Sequence, residues 1–225
     1  MPPEKTCLQL RLSTERTTQA KGAQHDRHNS TPNFSDLRGH TDTVTKFSSE
    51  ILNGRRVLLL GDLGTGAVAI SRRTVGLLPV PTQTELDRIN AVHEPIFHST
   101  RTSRPFRAPH HTISVVGMLS EIQLARRGVI VLEDAPEFRK SALEIIGDAE
   151  TNDTTLIATA TKCACGKSQN CICTPQMRAS WTKRLGNVIS QLRIEAVIEV
   201  PTLSSDERTY GERCPSTEEL TGAHK

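Results

Sequence analysis

Four short apolar segments, separated by longer amphipathic stretches, constrain the fold of this chain more than any other feature. Short runs of Val, Ile and Leu are typical of strands that are buried on both faces of a sheet. Between them, stretches such as EIQLARRG and MRASWTKRL have the spacing of helices. Strands that alternate with helices predict an α/β fold, with a three-layer parallel sheet flanked by helices. The predicted strands are residues 57–60, 129–134, 155–161 and 196–200.

A glycine-rich loop follows the first predicted strand and leads into a predicted helix. Its three glycines let the backbone curl with N–H groups facing inward, and the start of a helix attracts anions, so this arrangement suits a phosphate group. The GxxxxGK[ST] pattern of such loops ends in a lysine and a hydroxyl residue, but Ala67 and Val68 stand there. The same pattern is also typical of an ordinary strand–turn–helix. The candidate nucleotide-binding residues are Gly61, Asp62, Leu63, Gly64, Thr65, Gly66, Ala67 and Val68.

The absence of the lysine and of the hydroxyl residue weakens the binding of phosphate and Mg²⁺ that is expected of this loop. Without the lysine, the loop lacks a charge-assisted contact worth about 1.5–3 kcal/mol, or roughly 10- to 100-fold in affinity. The isopropyl group of Val68 cannot be a ligand of Mg²⁺. Asp62 adds a carboxylate beside the path of the phosphate, and we expect repulsion from it to weaken phosphate binding further.

Four cysteines lie close together after the third predicted strand. Cys163 and Cys165 form one Cys-x-Cys pair, and Cys171 and Cys173 form another. Four thiolates suit a tetrahedral, structural Zn²⁺ site, although a spacing of one residue is tighter than that of most zinc knuckles. The sequence therefore leaves two alternatives open, a structural zinc site and four free thiols.

Charge and hydropathy exclude several classes of protein. The chain has 28 basic and 25 acidic residues and a net charge of +3, which makes no strong electrostatic case for nucleic acid or an anionic membrane. No apolar run approaches the ~20 residues of a membrane span, and the first residues lack the apolar core of a secretory signal. We therefore expect a cytoplasmic protein without a membrane partner, whose cysteines are reduced or bind metal.

Six stretches of the sequence resemble one family and follow each other in the order that family has. The stretches are NFSDLRGH, the first strand with its glycine loop, RPFRAPHHTIS, EIQLARRGVIVLEDAPEF, the pair KCACG and CICTPQ, and LRIEAVIEVP. The family that they resemble is the magnesium-chelatase-like AAA+ ATPases, in particular the ComM/YifB group of competence-associated proteins, which are regarded as DNA helicases. The resemblance extends over about residues 34–201.

The resemblance implies a domain organisation, cofactors and partners. Residues 34–201 are expected to form a P-loop NTPase (AAA+) domain, with ATP and Mg²⁺ as cofactors. Residues 1–33 are polar and are expected to form a disordered tail. Residues 202–225 are expected to be a polar C-terminal tail, the remnant of a lid that is mostly missing. The family also implies a homo- or hetero-oligomeric ring and DNA as a partner.

The resemblance further assigns roles to four residues outside the glycine loop. Glu133 and Asp134 match the family's Asp-Glu pair in inverted order, so the carboxylates for Mg²⁺ and for the attacking water are both displaced from their usual places. Thr161 stands where the family has a water-orienting asparagine. Arg193 matches an arginine that lies near a neighbouring subunit's nucleotide. The alternatives are two acidic residues that cap a strand end and an ordinary surface arginine.

Two functions remain open at this point. The first is an ATP-binding AAA+ module of the magnesium-chelatase/ComM type in which hydrolysis is impaired or lost. The second is a non-catalytic, degenerate paralogue that acts as a subunit-interaction protein or a zinc-binding structural protein. The strength of ATP binding and its dependence on Mg²⁺ separate the two.

Overall fold

A computed structural model describes residues 32–149 and 153–222 of the chain. The predicted N-terminal tail lies outside these residues, apart from its last two positions. Five strands are present in the described part: β1 (Val57–Gly61), β2 (Phe106–Arg107), β3 (Val129–Leu132), β4 (Thr155–Thr161) and β5 (Ala196–Val200). They form one sheet in the order β2-β3-β4-β1-β5, in which every pair of neighbours is parallel.

The α-helices of the described residues fill the connections between strands and extend beyond the last one. None of them is both long and apolar enough to cross a membrane. They are α1 (Thr41–Leu52), α2 (Ala67–Ser71), α3 (Gln83–Phe97), α4 (Val115–Ala125), α5 (Lys140–Asp148), α6 (Pro175–Gln191), α7 (Ser205–Tyr210) and α8 (Thr217–Gly222).

Successive residues of the strands pack into two separate hydrophobic cores, one on each face of the sheet. Leu58 and Ile130 belong to the core that contains residues of α4, α5 and α6. Leu59 and Val131 belong to the core that contains residues of α1, α2 and α8. Because both faces are covered, strand residues on both sides are apolar, which is why the strands are continuous apolar runs in the sequence. The predicted fold class, a parallel sheet between two layers of helices, is confirmed.

The register of the sheet brings the ends of its central strands to one edge. Gly61 lies opposite both Thr161 of β4 and Val200 of β5. β3 ends at Leu132, opposite Ala158 of β4. The loops that follow β1, β3 and β4 therefore meet at this edge, where parallel α/β sheets bind their ligands. We call it the carboxyl edge.

The helix after β3 begins later than the sequence predicts. A proline-started helix is predicted for PEFRKSALEIIGDAE, but Ala135–Glu137 form a 3₁₀ turn and α5 begins at Lys140. Asp134, which precedes the turn, has a left-handed φ of 52°. The chain therefore bends sharply as it leaves β3, and the helix starts only after this bend.

The polar segment after β5 is more ordered than its composition predicts. Ser204 caps the N-terminus of α7 through a reciprocal pair of hydrogen bonds with Glu207. Cys214 and Leu220 are buried in the same core as α1. Residues 202–222 therefore pack onto the domain rather than extending from it as a loose tail.

Candidate functional site

The glycine loop, residues 62–66, joins β1 to α2 at the carboxyl edge. Gly64 and Gly66 have φ values of 82° and 95°, in the left-handed region that favours glycine. Thr65 is buried, and its hydroxyl donates a hydrogen bond to the carbonyl of Asp62 at 2.9 Å, which closes the loop on itself. α2 begins at Ala67, directly after the last glycine. The backbone is therefore curled at the start of a helix.

The carboxylate of Asp62 contacts the cysteine loop, by which we mean residues 162–174. Its Oδ2 accepts hydrogen bonds from the backbone N–H of Ser168 at 2.8 Å and from the Ser168 hydroxyl at 2.7 Å. Burial raises the pKa of Asp62, but the bonds from Ser168 and the charge of Lys162 outweigh burial and hold the pKa below its usual value. Asp62 is therefore an ionised residue that links two loops, a role the sequence does not predict.

A buried histidine lies against the glycine loop. His40 precedes α1 and is 6% exposed, and its Nε2 would lie 3.3 Å from a Cβ atom at Gly66. Burial lowers the pKa of His40, although the backbone of Thr65 and the charge of Glu207 oppose this effect. The imidazole is therefore neutral at pH 7 and supports the loop without adding a cation to it.

The acidic pair Glu133 and Asp134 follows β3 at the same edge, but its two members have different partners. Arg72, the residue after α2, donates two hydrogen bonds to Glu133, from Nε to Oε1 at 2.7 Å and from Nη2 to Oε2 at 3.0 Å. This contact raises the pKa of Arg72. The N–H of Asp134 donates to the hydroxyl of Thr159 at 3.2 Å. The charge of Glu133 is thus balanced by an arginine of the same chain.

Thr161 lies at the carboxyl edge, whereas Arg193 does not. The hydroxyl of Thr161, opposite Gly61, donates to the carbonyl of Cys163 at 2.9 Å. Arg193 lies between α6 and β5, at the opposite edge of the sheet, and β5 spans about 13 Å between the two edges. It makes an exposed ion pair with Asp148 at 3.3 Å. Within one chain, the structure therefore does not bring Arg193 together with the other predicted site residues.

The four cysteines of the cysteine loop converge on one point. Their Sγ atoms all lie within 4.8 Å of one another. The Sγ of Cys171 is 3.1 Å from that of Cys163 and 3.6 Å from that of Cys165. Four thiolates that bind Zn²⁺ at about 2.3 Å in a tetrahedron lie about 3.8 Å apart, so the observed spacing fits this ion. The short spacing within each Cys-x-Cys pair does not prevent the side chains from meeting.

The thiols of this cluster differ in acidity. The backbone of Lys167 lowers the pKa of Cys165 to about 6. Burial raises the pKa of Cys173 to about 12, and contact with Cys163 raises the pKa of Cys171. Cys165 is therefore largely a thiolate at pH 7 and offers a metal ion a first ligand, while Cys171 and Cys173 release protons when they bind it.

Comparison with sequence models of known protein families identifies the family of this chain. The sequence model described as magnesium chelatase, subunit ChlI, matches residues 33–152, which is more than half of the chain. The chain belongs to this family. The match to the ChlI family includes the glycine loop and the acidic pair, while the cysteine loop and β5 follow the matched segment.

Curated relatives of this ChlI-family chain include two proteins of the ComM/YifB group. The competence protein ComM of Haemophilus influenzae is 31% identical over 129 residues, which cover 52% of this chain and 25% of the relative. The uncharacterized protein YifB of Escherichia coli is 31% identical over 142 residues, which cover 56% of this chain and 26% of the relative. The matches therefore span about a quarter of the length of these relatives. The predicted resemblance to the ComM/YifB group is confirmed.

Solved structures include more distant neighbours of the ChlI-family chain. A complex between subunits BchI and BchD of magnesium chelatase matches with a TM-score of 0.46 at 12% identity, over 85% of this chain and 70% of that chain. The P-loop NTPase domain of a sigma-54 activator from E. coli matches with a TM-score of 0.36 at 13% identity, over 73% of this chain and 97% of that chain. Family membership and the parallel sheet with a glycine loop after β1 identify the fold as that of a P-loop NTPase (AAA+).

Two residues at the carboxyl edge of this ChlI-family domain are absent from the sequence-based prediction. Arg72 follows Val68 by four residues, a spacing that places the two on one face of a helix, so its position near the site was open to prediction. Ser168 lies in the middle of the cysteine loop, and 106 residues separate it from its partner Asp62. No local pattern identifies such a pair.

Proposed function

We propose that this ChlI-family chain is an AAA+ nucleotide-binding module that binds the phosphates of ATP weakly, without help from Mg²⁺, and in which hydrolysis is impaired or lost. One observation carries the proposal. The carboxyl edge combines a curled glycine loop with Ala67 and Val68 in the first turn of α2 and with a Glu133 that Arg72 neutralises. A nucleotide-binding domain over residues 34–201, followed by a lid remnant, is part of the same proposal.

The backbone of the glycine loop supports phosphate binding. The left-handed glycines turn the chain back on itself, and the N–H groups of Gly64 and Gly66 donate hydrogen bonds to no described residue. Curled backbones with open N–H groups attract anionic oxygens. The absence of a lysine limits the strength of this attraction, because the backbone supplies hydrogen bonds but no full positive charge.

The side chains at the same edge do not fit Mg²⁺. Val68 offers no oxygen, and both carboxylate oxygens of Glu133 accept hydrogen bonds from Arg72. In nucleotide sites Mg²⁺ is held by a few protein oxygen ligands together with phosphates and water. Here the hydroxyl ligand is replaced by Val68 and Glu133 is paired with Arg72, which leaves Asp134 as the carboxylate of the acidic pair that accepts no hydrogen bond from Arg72. Hydrolysis of ATP with the help of a metal ion at this edge is therefore not part of the proposed function.

A second role, that of a zinc-binding structural protein, is favoured by a separate observation. Four Sγ atoms within 4.8 Å of one another form a complete set of protein ligands, as in structural zinc sites. We propose that the cysteine loop binds one Zn²⁺. This role is compatible with weak nucleotide binding and also suits a chain that binds no nucleotide.

The partners expected from the resemblance remain predictions. Assembly into a homo- or hetero-oligomeric ring is supported by membership of the ChlI family alone, and DNA as a partner has no further support in the described residues. A role in competence and a cytoplasmic location remain predictions in the same way.

Calorimetric titration with ATP, in the presence and absence of Mg²⁺, tests the proposed function. We expect a dissociation constant weaker than ~100 μM that Mg²⁺ changes by no more than about twofold, because the loop lacks both the cation and the metal ligand. Adenosine serves as a matched ligand without phosphate and is expected not to bind. Binding that is tighter than this value and strengthens with Mg²⁺ would contradict weak, metal-independent binding. If titration with millimolar ATP produced no heat, the nucleotide-binding proposal would be wrong and only the zinc-binding role would remain.

A further inference from the structure

Three hydrogen bonds join the glycine loop to the cysteine loop at the carboxyl edge. The N–H of Leu63 donates to the carbonyl of Gly166 at 2.7 Å. The N–H and the hydroxyl of Ser168 donate to Oδ2 of Asp62 at 2.8 and 2.7 Å. Two of these bonds end on a carboxylate, and hydrogen bonds to charged groups are the stronger kind. The cysteine loop therefore holds both the backbone of Leu63 and the side chain of Asp62.

The contact between the loops is close enough to depend on glycine. Gly166 has a φ of 75°, and a Cβ atom at this position would lie 3.1 Å from Cβ of Leu63. A side chain there would both strain the backbone and push the loops apart. The position of Gly166 therefore directly affects the position of Leu63.

The same short span of chain carries the thiols. Gly166 and Ser168 lie between Cys165 and Cys171, in the segment that a bound metal ion would close. The N–H of Gly166 donates to the carbonyl of Cys163 at 2.8 Å. The groups that hold the glycine loop are thus only one to three residues away from zinc ligands.

Apart from the thiols Cys163 and Cys173, which are buried, apolar packing provides little to hold the cysteine loop in place. Its branched apolar side chain, Ile172, is 88% exposed, and Leu63 of the adjoining glycine loop is 78% exposed. Segments with few buried apolar contacts open locally at low free-energy cost. The cluster of thiols is therefore the feature through which this loop can become rigid.

We propose that the cysteine loop is a metal-dependent positioning element for the glycine loop, with Ser168 as the positioning residue. Zinc at the four cysteines fixes Gly166 and Ser168, and these residues hold Leu63 and Asp62 in place. The inference rests on the proposed zinc site and extends it, because a purely local zinc site would leave the glycine loop unchanged on loss of the metal.

Amide hydrogen exchange of the full chain, read residue by residue by NMR with zinc bound and after chelation, tests this coupling. We expect the Leu63 amide to exchange at least about tenfold faster after zinc removal, since its acceptor is in the cysteine loop. The amides of Leu58 and Leu59, in the middle of β1, serve as internal controls and are expected to keep their rates. The emission of Trp181, the single tryptophan, reports zinc binding independently, because its indole N–H donates to the carbonyl of Thr161 at the base of the loop.

A matched pair of variants separates positioning from metal binding. Ser168→Ala removes the hydroxyl bond to Asp62 while leaving all four thiols, and we expect about fivefold faster exchange at Leu63 with one zinc still bound. Ser168→Thr retains the hydroxyl and is expected to restore the slower rate. ATP affinity, measured alongside, is expected to fall in the alanine variant and recover in the threonine variant.

The outcomes distinguish the coupling from the zinc site itself. If one zinc binds and its removal leaves the rate at Leu63 unchanged, the coupling is wrong and the zinc site stands. If no zinc binds, both the zinc site and its control over the glycine loop are wrong. If Ser168→Ala leaves the exchange at Leu63 unchanged, Ser168 is not the positioning residue.

Discussion

The double substitution Ala67→Lys with Val68→Thr is expected to raise the affinity for ATP by roughly 10- to 100-fold and to make binding stronger in Mg²⁺. The ammonium adds a charge-assisted contact to a phosphate, worth about 1.5–3 kcal/mol, and the hydroxyl adds a metal ligand. Both residues are partly exposed in the first turn of α2, so the new side chains need little room in the core. Calorimetric titration of both proteins with ATP measures the change.

Ala67→Met with Val68→Thr is the matched control for this gain. Methionine has nearly the length of lysine without its charge, so this variant is expected to stay within a few-fold of the unaltered chain. Equal gains in both variants would show that side-chain packing rather than charge limits binding. If neither variant gains affinity, the glycine loop is not a phosphate-binding loop.

Removal of zinc is expected to lower the melting temperature of the chain by roughly 10 °C. Free zinc at a thousandfold excess over its dissociation constant stabilises a protein by about 4 kcal/mol, and each kcal/mol corresponds to about 2–4 °C for a chain of this size. We expect one zinc per chain in protein purified under reducing conditions. Differential scanning calorimetry with and without a chelator, together with metal analysis, tests this prediction.

Two cysteine substitutions provide the comparison for the zinc experiment. Cys171→Ser removes a ligand whose Sγ lies near two other thiols of the cluster, and it is expected to abolish both stoichiometric zinc and the effect of the chelator. Cys214→Ser changes a buried cysteine outside the cluster and is expected to keep both. A melting temperature that does not respond to zinc in the unaltered chain would mean that the four thiols hold no structural metal.

The sheet and the carboxyl edge were predictable because they depend on patterns that are local in the sequence. Runs such as VLLL and VIVL identify strands buried on both faces, and parallel strands bring their following loops to one edge. The Cys-x-Cys pairs predicted a cluster for the same reason, since both pairs lie in one loop. The pairs Ser204 with Glu207 and Ser216 with Glu219 have the Ser-x-x-Glu spacing that is typical of helix N-termini. The sequence therefore contains a pattern that predicts the ordered helices after β5.

The contacts between loops were not predictable, because they depend on geometry that only the folded chain provides. The sequence indicates the charge of Asp62 but not its partner: in the structure the carboxylate stays ionised and accepts hydrogen bonds from Ser168. The resemblance predicts Glu133 as a residue for Mg²⁺ or for the attacking water, and its ion pair with Arg72 becomes visible only when the fold brings together the residues that follow α2 and β3. In both cases the sequence indicates where the carboxylate lies in the fold but not its partner, and the roles of Asp62 and Glu133 in nucleotide binding stay predictions.

The release of inorganic phosphate from ATP by the purified, unaltered chain in Mg²⁺ is the most direct test of the central claim, that this glycine loop receives phosphate without supporting its cleavage. The account predicts release no faster than that of the Glu133→Gln variant measured in parallel, a comparison that also corrects for contaminating ATPases. Mg²⁺-dependent release by the unaltered chain that this substitution abolishes would contradict the account.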